Sequence, residues 1–400
     1  MTLANTATRY GTISKTFHWL TALLILSLIP LGIIANDLPF DTSEQLARKA
    51  FLFSLHKTLG VFVFFTALAR IYSALRQTKP APLHPDRKFE SFVAETVHWL
   101  LYGSLVLVPL SGWIHHAATS GFAPIWWPFG QNLPFVPKNE MFASVFSGLH
   151  LVFERVLAAS IILHIIGAVK HHFVDKDVTL RRMWFGDTQS QSQDVRHSTI
   201  LPIAAAVTAW VIALGLGSVI GVFDAHKSTA PTVALQEVQS EWVVQDGTLE
   251  FTITQFGTEV QGQFADWTAS IRFDENATDQ KAGDVDVQIA IPSLTLGSVT
   301  DQALGPDYFD VTTHSVAQFT AEIVKIVDGY SANGSLTIRG TTNPIEMPFG
   351  LSLDGDTAYV TGKLTLDRRD FGIGANMADE ETLKFSVQVD INLTAQRASE

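Results

Sequence analysis

Five runs of apolar residues, each long enough to cross a lipid bilayer, decide most of what this chain can fold into. They lie at roughly Phe17–Ala35, Phe51–Tyr72, Phe92–Ala117, Gly148–His172 and Thr199–Phe223. A hydrocarbon layer about 30 Å thick takes about 20 residues of α-helix to span. The first run is long for the apolar core of a signal sequence, lacks a clear small-x-small cleavage site and contains His18. It reads as a retained helix.

The formal charge of −12 conceals two unlike halves. Residues 1–198 carry 17 Lys and Arg against 12 Asp and Glu, a net of +5; residues 199–400 carry 10 against 27, a net of −17. Apolar runs concentrate before Phe223, so two domains of different solvent are expected. The acidic half offers no electrostatic footprint for nucleic acid. The absence of cysteine excludes iron–sulfur clusters, covalent c-type haem attachment, disulfides and thiolate zinc sites. The five methionines lie outside the predicted spans, so haem held in the membrane would be ligated by two histidines.

Loop cations set the orientation. Arg9 and Lys15 precede span one, Arg76, Lys79, Arg87 and Lys88 join spans two and three, and Lys176, Arg181, Arg182 and Arg196 follow span four. The opposite side holds Arg48, Lys49, Lys57 and Lys138. The positive-inside rule puts the N-terminus in the cytoplasm and everything after span five on the outside. The aromatic, proline-rich Gly121–Phe129 reads as an interfacial belt. Gly217 and Gly221, at small-xxx-small spacing, offer span five a route to a homodimer through helix packing.

Four histidines stand at the span edges. His150 and His164 share span four; their 14-residue separation returns to nearly one helix face about 21 Å further along the axis. Ionisable groups at that depth read as functional. Pairing by depth joins His18 with His164 at the inner level and His56 with His150 at the outer level. Each pair draws on two helices, as two haems wedged across a bilayer require. His98, His115 and His116 read as snorkelling or hydrogen-bonding residues at helix ends. His171 and His172 lie just past the inner level, where a quinone headgroup would need a proton donor. His84, His197, His226 and His314 suggest nothing specific.

From Glu237 the pattern changes to period two. Val285, Val287, Ile289 and Ile291 alternate with polar or small residues, as do Leu383, Phe385, Val387, Val389, Ile391 and Leu393. Turns are expected at Asp328-Gly329, Asn333-Gly334 and Asp354-Gly355, and a linker at Asp224–Ala234. Many short antiparallel strands over about 160 residues indicate a barrel or sandwich.

The membrane half resembles the bacterial cytochrome b561 family. The matching pieces are Thr16-Phe-His-Trp-Leu20, Leu55-His-Lys-Thr-Leu-Gly60, Gly148-Leu-His150, Leu163-His164, Lys170-His-His-Phe173 and Lys176-Asp-Val-Thr-Leu180. The resemblance implies a four-helix bundle holding two b-type haems on His18, His56, His150 and His164, exchanging electrons with the quinone pool. Some members are similar to a superoxide oxidase that reduces ubiquinone, and His171 matches the position associated there with quinone. Lys57, adjoining His56, would draw superoxide towards the outer haem. Span five and the appended domain depart from the simple family pattern.

Residues 237–397 resemble the YceI-like polyisoprenoid-binding family. The carrying pieces are Gly262-Gln-Phe-Ala-Asp-Trp267, Asp307-Tyr-Phe-Asp-Val311 with Phe319, Gly340-Thr-Thr-Asn-Pro344 and Asp367-Arg-Arg-Asp-Phe-Gly-Ile373. The resemblance implies a lipocalin-like, eight-stranded antiparallel barrel around a long isoprenoid. Phe264, Phe273, Ile289, Leu296, Phe309, Phe319 and Phe371 are the apolar candidates for its lining. An isoprenoid tail is also what ubiquinone carries.

The expected protein is thus a multi-domain membrane protein. An all-α transmembrane four-helix bundle (1–185) is followed by residues 186–236, with a cytoplasmic loop, a fifth transmembrane helix at about 199–223 and a linker. An all-β eight-stranded barrel occupies 237–400. Its expected work is that of an oxidoreductase of the superoxide:quinone type. Two other readings are a membrane-anchored isoprenoid-binding stress protein with structural haem, and the cytochrome subunit of a larger dehydrogenase.

Overall fold

Four of the five expected spans form helices that outrun them at both ends. In the computed structural model these are α1 (Thr12–Asp37), α2 (Ser43–Arg76), α3 (Lys88–Ala118) and α4 (Glu140–Phe173). A short α5 (Thr179–Met183) follows, then α6 (Ile200–Val219). The structure describes residues 2–81, 83–84, 86–186, 188, 199–223, 233–236 and 240–398. His197, His226 and residues 224–232 of the expected linker lie outside them.

The described residues form two compact units. The first comprises residues up to Leu38, Phe51–Thr119 and Pro124 through the turn after α6. The second comprises Pro39–Ala50, Ser120–Ala123 and the described residues from Val233 onward.

In the helical unit, Ile25 and Leu28 of α1, Val63 and Ala67 of α2, Leu105 of α3 and Leu157 of α4 meet in one buried cluster. The four helices thus share a single seam. Pro30 and Pro109 interrupt α1 and α3, each removing one intrahelical donor. Five helices among the described residues are long and apolar enough to cross a membrane.

The fifth packs within its own chain. A Cβ on Gly217 would stand 2.9 Å from Cγ2 of Val152 in α4, and one on Gly148 would stand 2.7 Å from Phe223. The space at Gly103 of α3 is taken by the Trp210 ring of α6. Gly221 has left the helix, with φ at 77°. Its N–H donates to the Ser218 carbonyl and that of Val222 to the Gly217 carbonyl, the two bonds of a Schellman cap. The two glycines expected to pack helices between chains therefore pack and end a helix inside one. Gly221→Ala is expected to cost about 1 kcal/mol through the left-handed backbone it must adopt, read as a lowered thermal midpoint.

The second unit holds ten strands in one antiparallel sheet, ordered β3-β4-β6-β7-β8-β9-β10-β1-β2-β5. They are β1 (Trp242–Gln255), β2 (Thr258–Phe264), β3 (Trp267–Phe273), β4 (Lys281–Ala290), β5 (Leu294–Thr295), β6 (Val316–Ile326), β7 (Gly329–Ile338), β8 (Thr341–Asp354), β9 (Thr357–Asp367) and β10 (Ser386–Arg397). Only Ala265 and Asp266 separate β2 from β3, yet β2 pairs with β1 and β3 with β4. One bent strand thus links the two sides of a curled sheet. Counting it once gives the eight long strands expected, with the two-residue β5 in addition.

One expected turn is misplaced. Asn333 and Gly334 lie inside β7, opposite Glu322 and Ala321 of β6. A Cβ at Gly334 would collide with the β6 backbone, so this glycine permits close strand approach instead of reversal. Reversals fall at Val327-Asp328 and Gly355-Asp356, each within a residue of an expected turn, and also at Phe256-Gly257 and Arg339-Gly340, both residues of these last two pairs having positive φ. That is the backbone a tight two-residue hairpin requires.

Candidate functional site

His56 of α2 places Nδ1 3.1 Å from the Leu28 carbonyl of α1, and His150 of α4 places Nδ1 2.8 Å from the Val108 carbonyl of α3. A carbonyl only accepts, so Nδ1 must be the protonated nitrogen in both rings. Neutral imidazoles so held leave Nε2 as a bare ligand. Four residues beyond each carbonyl stands a glycine. A Cβ on Gly32 would lie 2.9 Å from Cε1 of His56, and one on Gly112 would lie 2.9 Å from Nδ1 of His150. Two helices therefore carry the same arrangement of carbonyl, nearby proline and glycine, each against the histidine of a neighbouring helix.

His18 and His164 face one another with ring centroids 6.1 Å apart and planes tilted by 58°. His98, expected as a helix-end residue, sits edge-on to His164 at 5.2 Å. Its Nδ1 is taken up by the Ala94 carbonyl of its own helix at 2.6 Å. His115 hydrogen-bonds through Nδ1 to the Ala143 carbonyl at 2.8 Å, tying α3 to the start of α4.

His171 belongs to an ionic cluster at the end of α4. Its Nδ1 lies 2.7 Å from Asp177 Oδ2 and 3.1 Å from Asp175 Oδ2. Asp177 Oδ2 is also 2.9 Å from Nε2 of His84, whose ring lies parallel to that of His171. Arg87 and Lys170 both hold Asp175, and Lys170 also reaches Glu90 at 2.7 Å. Burial alone would raise the Asp177 carboxyl, but hydrogen bonds from Thr179, His84 and His171 outweigh it and hold it well below the usual range. A depressed carboxylate stabilises the fold above about pH 4 and loses that effect as pH falls through its folded value. His84 carried no sequence signal; only the fold brings it to His171. His172 instead packs edge-on against Phe173.

Lys57 adjoins His56 as expected, but it is buried, 8% exposed, and so is not a surface anchor. Lys138 hydrogen-bonds to the Thr119 carbonyl at 2.8 Å and to Asn132 at 3.0 Å.

The β-unit encloses a cavity of about 270 Å³ with an almost wholly apolar lining. Phe264, Phe273, Ile289, Leu296, Phe309, Phe319 and Phe371 all border it. So do Trp242, Gln255, Gln302, Tyr308 and Arg368, which periodicity did not single out. Arg368 is buried beneath the Asp367–Ile373 segment, the position at which a sequence motif could have revealed it.

Five helices long and apolar enough to cross a membrane, with histidines facing one another between them, are joined to a curled sheet around an apolar cavity. Residues 9–186 match the family of prokaryotic cytochrome b561 and residues 237–395 match the YceI-like domain. The chain thus joins a stretch that matches the prokaryotic cytochrome b561 family to one that matches the YceI-like domain. It is 29% identical over 188 residues to Cytochrome b561 homolog 2 of Escherichia coli (strain K12), covering 46% of this chain and 95% of that one. It is 24% identical to the Yersinia pestis protein named Probable superoxide oxidase CybB, covering 44% and 95%. Burkholderia cenocepacia BcnA, a solved structure, is similar at 26% identity and a TM-score of 0.36, covering 38% of this chain and 96% of its own.

The cytochrome b561 family implies haem b. The residues present fit it. Metal–imidazole bonds of about 2 Å on each side put ligand ring centres about 6 Å apart, as found for His18 and His164. At His56 and His150 the backbone carbonyls supply the second-shell acceptors that metal-bound imidazoles ordinarily have.

Proposed function

We propose that this inner-membrane protein exchanges electrons with the quinone pool through two b haems, and that its barrel binds an isoprenoid or quinone beside the membrane. One haem is held by His18 and His164, the other by His56 and His150. The observation that carries the reading is the anchoring of both imidazoles at one level: Nδ1 of His56 and of His150 bonds to a carbonyl of the adjacent helix. Bound haem b supplies one-electron transfer. The proposed divisions are 1–185 for the bundle, 186–236 for the loop, fifth helix and linker, and 237–400 for the barrel. Loop cations favour a cytoplasmic N-terminus and a periplasmic barrel.

The similarity to a protein named as a superoxide oxidase supports superoxide as donor. Two superoxide anions, each losing one electron to become dioxygen, supply two electrons; with two protons these convert ubiquinone to ubiquinol. Lys57 stands beside His56, and His171 is the side chain proposed to relay protons to the quinone. With Nδ1 engaged by Asp177, its Nε2 is the nitrogen left to face a quinone oxygen. His171→Ala is expected to keep both haem spectra and to lower superoxide-driven ubiquinone reduction about a hundredfold, the scale of a lost general acid. Undiminished turnover would remove His171 from the proposal.

For the barrel, organic extraction of the purified full chain followed by mass spectrometry is expected to release an isoprenoid. Recovery of bilayer phospholipid alone would sink that assignment.

A further inference from the structure

Two imidazoles from distant parts of the chain converge on one carboxylate oxygen. His171 Nδ1, at the end of α4, lies 2.7 Å from Asp177 Oδ2, and His84 Nε2, in the segment before α3, lies 2.9 Å from the same atom. The two rings are parallel to within 4°. All three donor atoms lie within 4.8 Å of one another. Tetrahedral zinc, with bonds of about 2.0–2.1 Å, separates its ligand atoms by about 3.3 Å, so an ion fits here after an opening of about half an ångström.

The backbone fixes the carboxylate. Lys176 has φ at 53° and turns the chain back, so that the Asp177 N–H donates to the His171 carbonyl at 3.1 Å. The Thr179 N–H donates to Asp177 Oδ1 at 2.8 Å, which leaves Oδ2 to the two rings. Outer-shell hydrogen bonds of this kind orient metal ligands. Side-chain exposures of 32% for His84, 23% for His171 and 12% for Asp177 leave an ion a route from solvent.

A second set, Glu90, His171 and Asp175, also brings three donors together, and charge tells the two apart. Lys170 lies 2.7 Å from Glu90 and 3.1 Å from Asp175, and Arg87 lies 3.1 Å from Asp175. Those two carboxylates are already matched by two cations, which would repel a divalent ion seated between them. Asp177 differs: among the described residues its ion-pair partners are His84 and His171. Neutral imidazoles leave its charge unmet, and an ion shared by all three side chains meets it.

We propose that His84, His171 and Asp177 form a binding site for a zinc-type divalent cation. Two imidazole nitrogens and one carboxylate suit zinc and other late first-row ions over magnesium or calcium, which take oxygen ligands. Three protein ligands leave the fourth position open, as in sites whose ion meets an outside ligand. An ion on Nδ1 of His171 takes the place of the hydrogen bond to Asp177 through which a proton would return to that ring. Bound zinc therefore inhibits quinone reduction, a consequence that rests on the reading of His171 as the relay.

The test is equilibrium dialysis of the chelator-treated full chain, in detergent, against radioactive zinc with magnesium in excess. The unaltered protein is expected to bind an equivalent of zinc that magnesium does not displace. His84→Ala and Asp177→Asn are each expected to weaken that binding about a hundredfold or more, the upper end of what even a second-shell loss costs. Glu90→Gln is expected to keep it. Thermal midpoints without zinc report whether each variant is folded, and added zinc is expected to raise the midpoint only in the unaltered chain and Glu90→Gln. Absence of zinc binding overturns the proposal, as does binding of unchanged strength in His84→Ala and Asp177→Asn, loss confined to Glu90→Gln, or displacement by magnesium. Zinc that binds as expected yet leaves superoxide-driven ubiquinone reduction unchanged counts against His171 as the relay and leaves the metal site standing.

Discussion

Replacing His18 or His164 by alanine is expected to leave the purified protein with one haem b, against the two proposed for the unaltered chain. His56→Ala or His150→Ala is expected to remove the other. The physical reason is that each pair draws its two imidazoles from different helices, so losing either ring leaves iron one protein ligand short. The 6.1 Å between the His18 and His164 ring centres admits a metal between them, and the chain has no cysteine to substitute. Pyridine haemochrome assay gives the haem-to-protein ratio, and redox titration should show one surviving step per variant, the same step within a pair. His98 is the residue that could upset this result, since it touches His164 edge-on. Two haems retained in His18→Ala but lost in His18→Ala with His98→Ala would transfer the ligand role to His98.

Gly32→Ala and Gly112→Ala are expected to reproduce the loss seen in His56→Ala and His150→Ala without touching a ligand. The added methyl would sit 2.9 Å from the imidazole in each case, closer than carbon and ring atoms normally approach. Each ring must then swing away from its helix and give up its Nδ1 bond to Leu28 or Val108. Second-shell losses of this kind typically cost 10–100-fold in metal affinity. The haem proposed at His18 and His164 should keep its spectrum and midpoint. Unchanged haem content and unchanged potentials in both variants would show that the glycines serve only helix packing.

Much of this architecture is legible in the chain. Hydropathy locates the five long helices because lipid permits little else. It misses their ends, since polar turns such as Ser43–Ala50 continue a helix beyond the apolar run. The four histidines stand out by type and spacing. Their acceptors do not, because Leu28 and Val108 act through backbone carbonyls that every residue possesses. Gly32 and Gly112 acquire meaning only once a neighbouring helix is placed against them. Asn333-Gly334 shows the opposite failure: a strong turn dipeptide was outweighed by pairing on both sides, to β6 and β8. In the barrel, alternation found the apolar wall but could not find Gln255, a polar residue that tertiary structure turns inward.

The continuity of β2 and β3 through a single bend bears on how neighbouring copies meet. An open sheet ends in rows of unsatisfied N–H and C=O groups that template pairing with another chain. Here the end beyond β2 is occupied by the two-residue β5, and the seven-residue β3 issues directly from β2. β5 pairs only Gln263 and Phe264, so the outer sides of Thr258–Gly262 in β2 and of β3 carry no partner strand among the described residues. Those two short stretches, broken by the bend, are what this sheet leaves for a second copy to pair with.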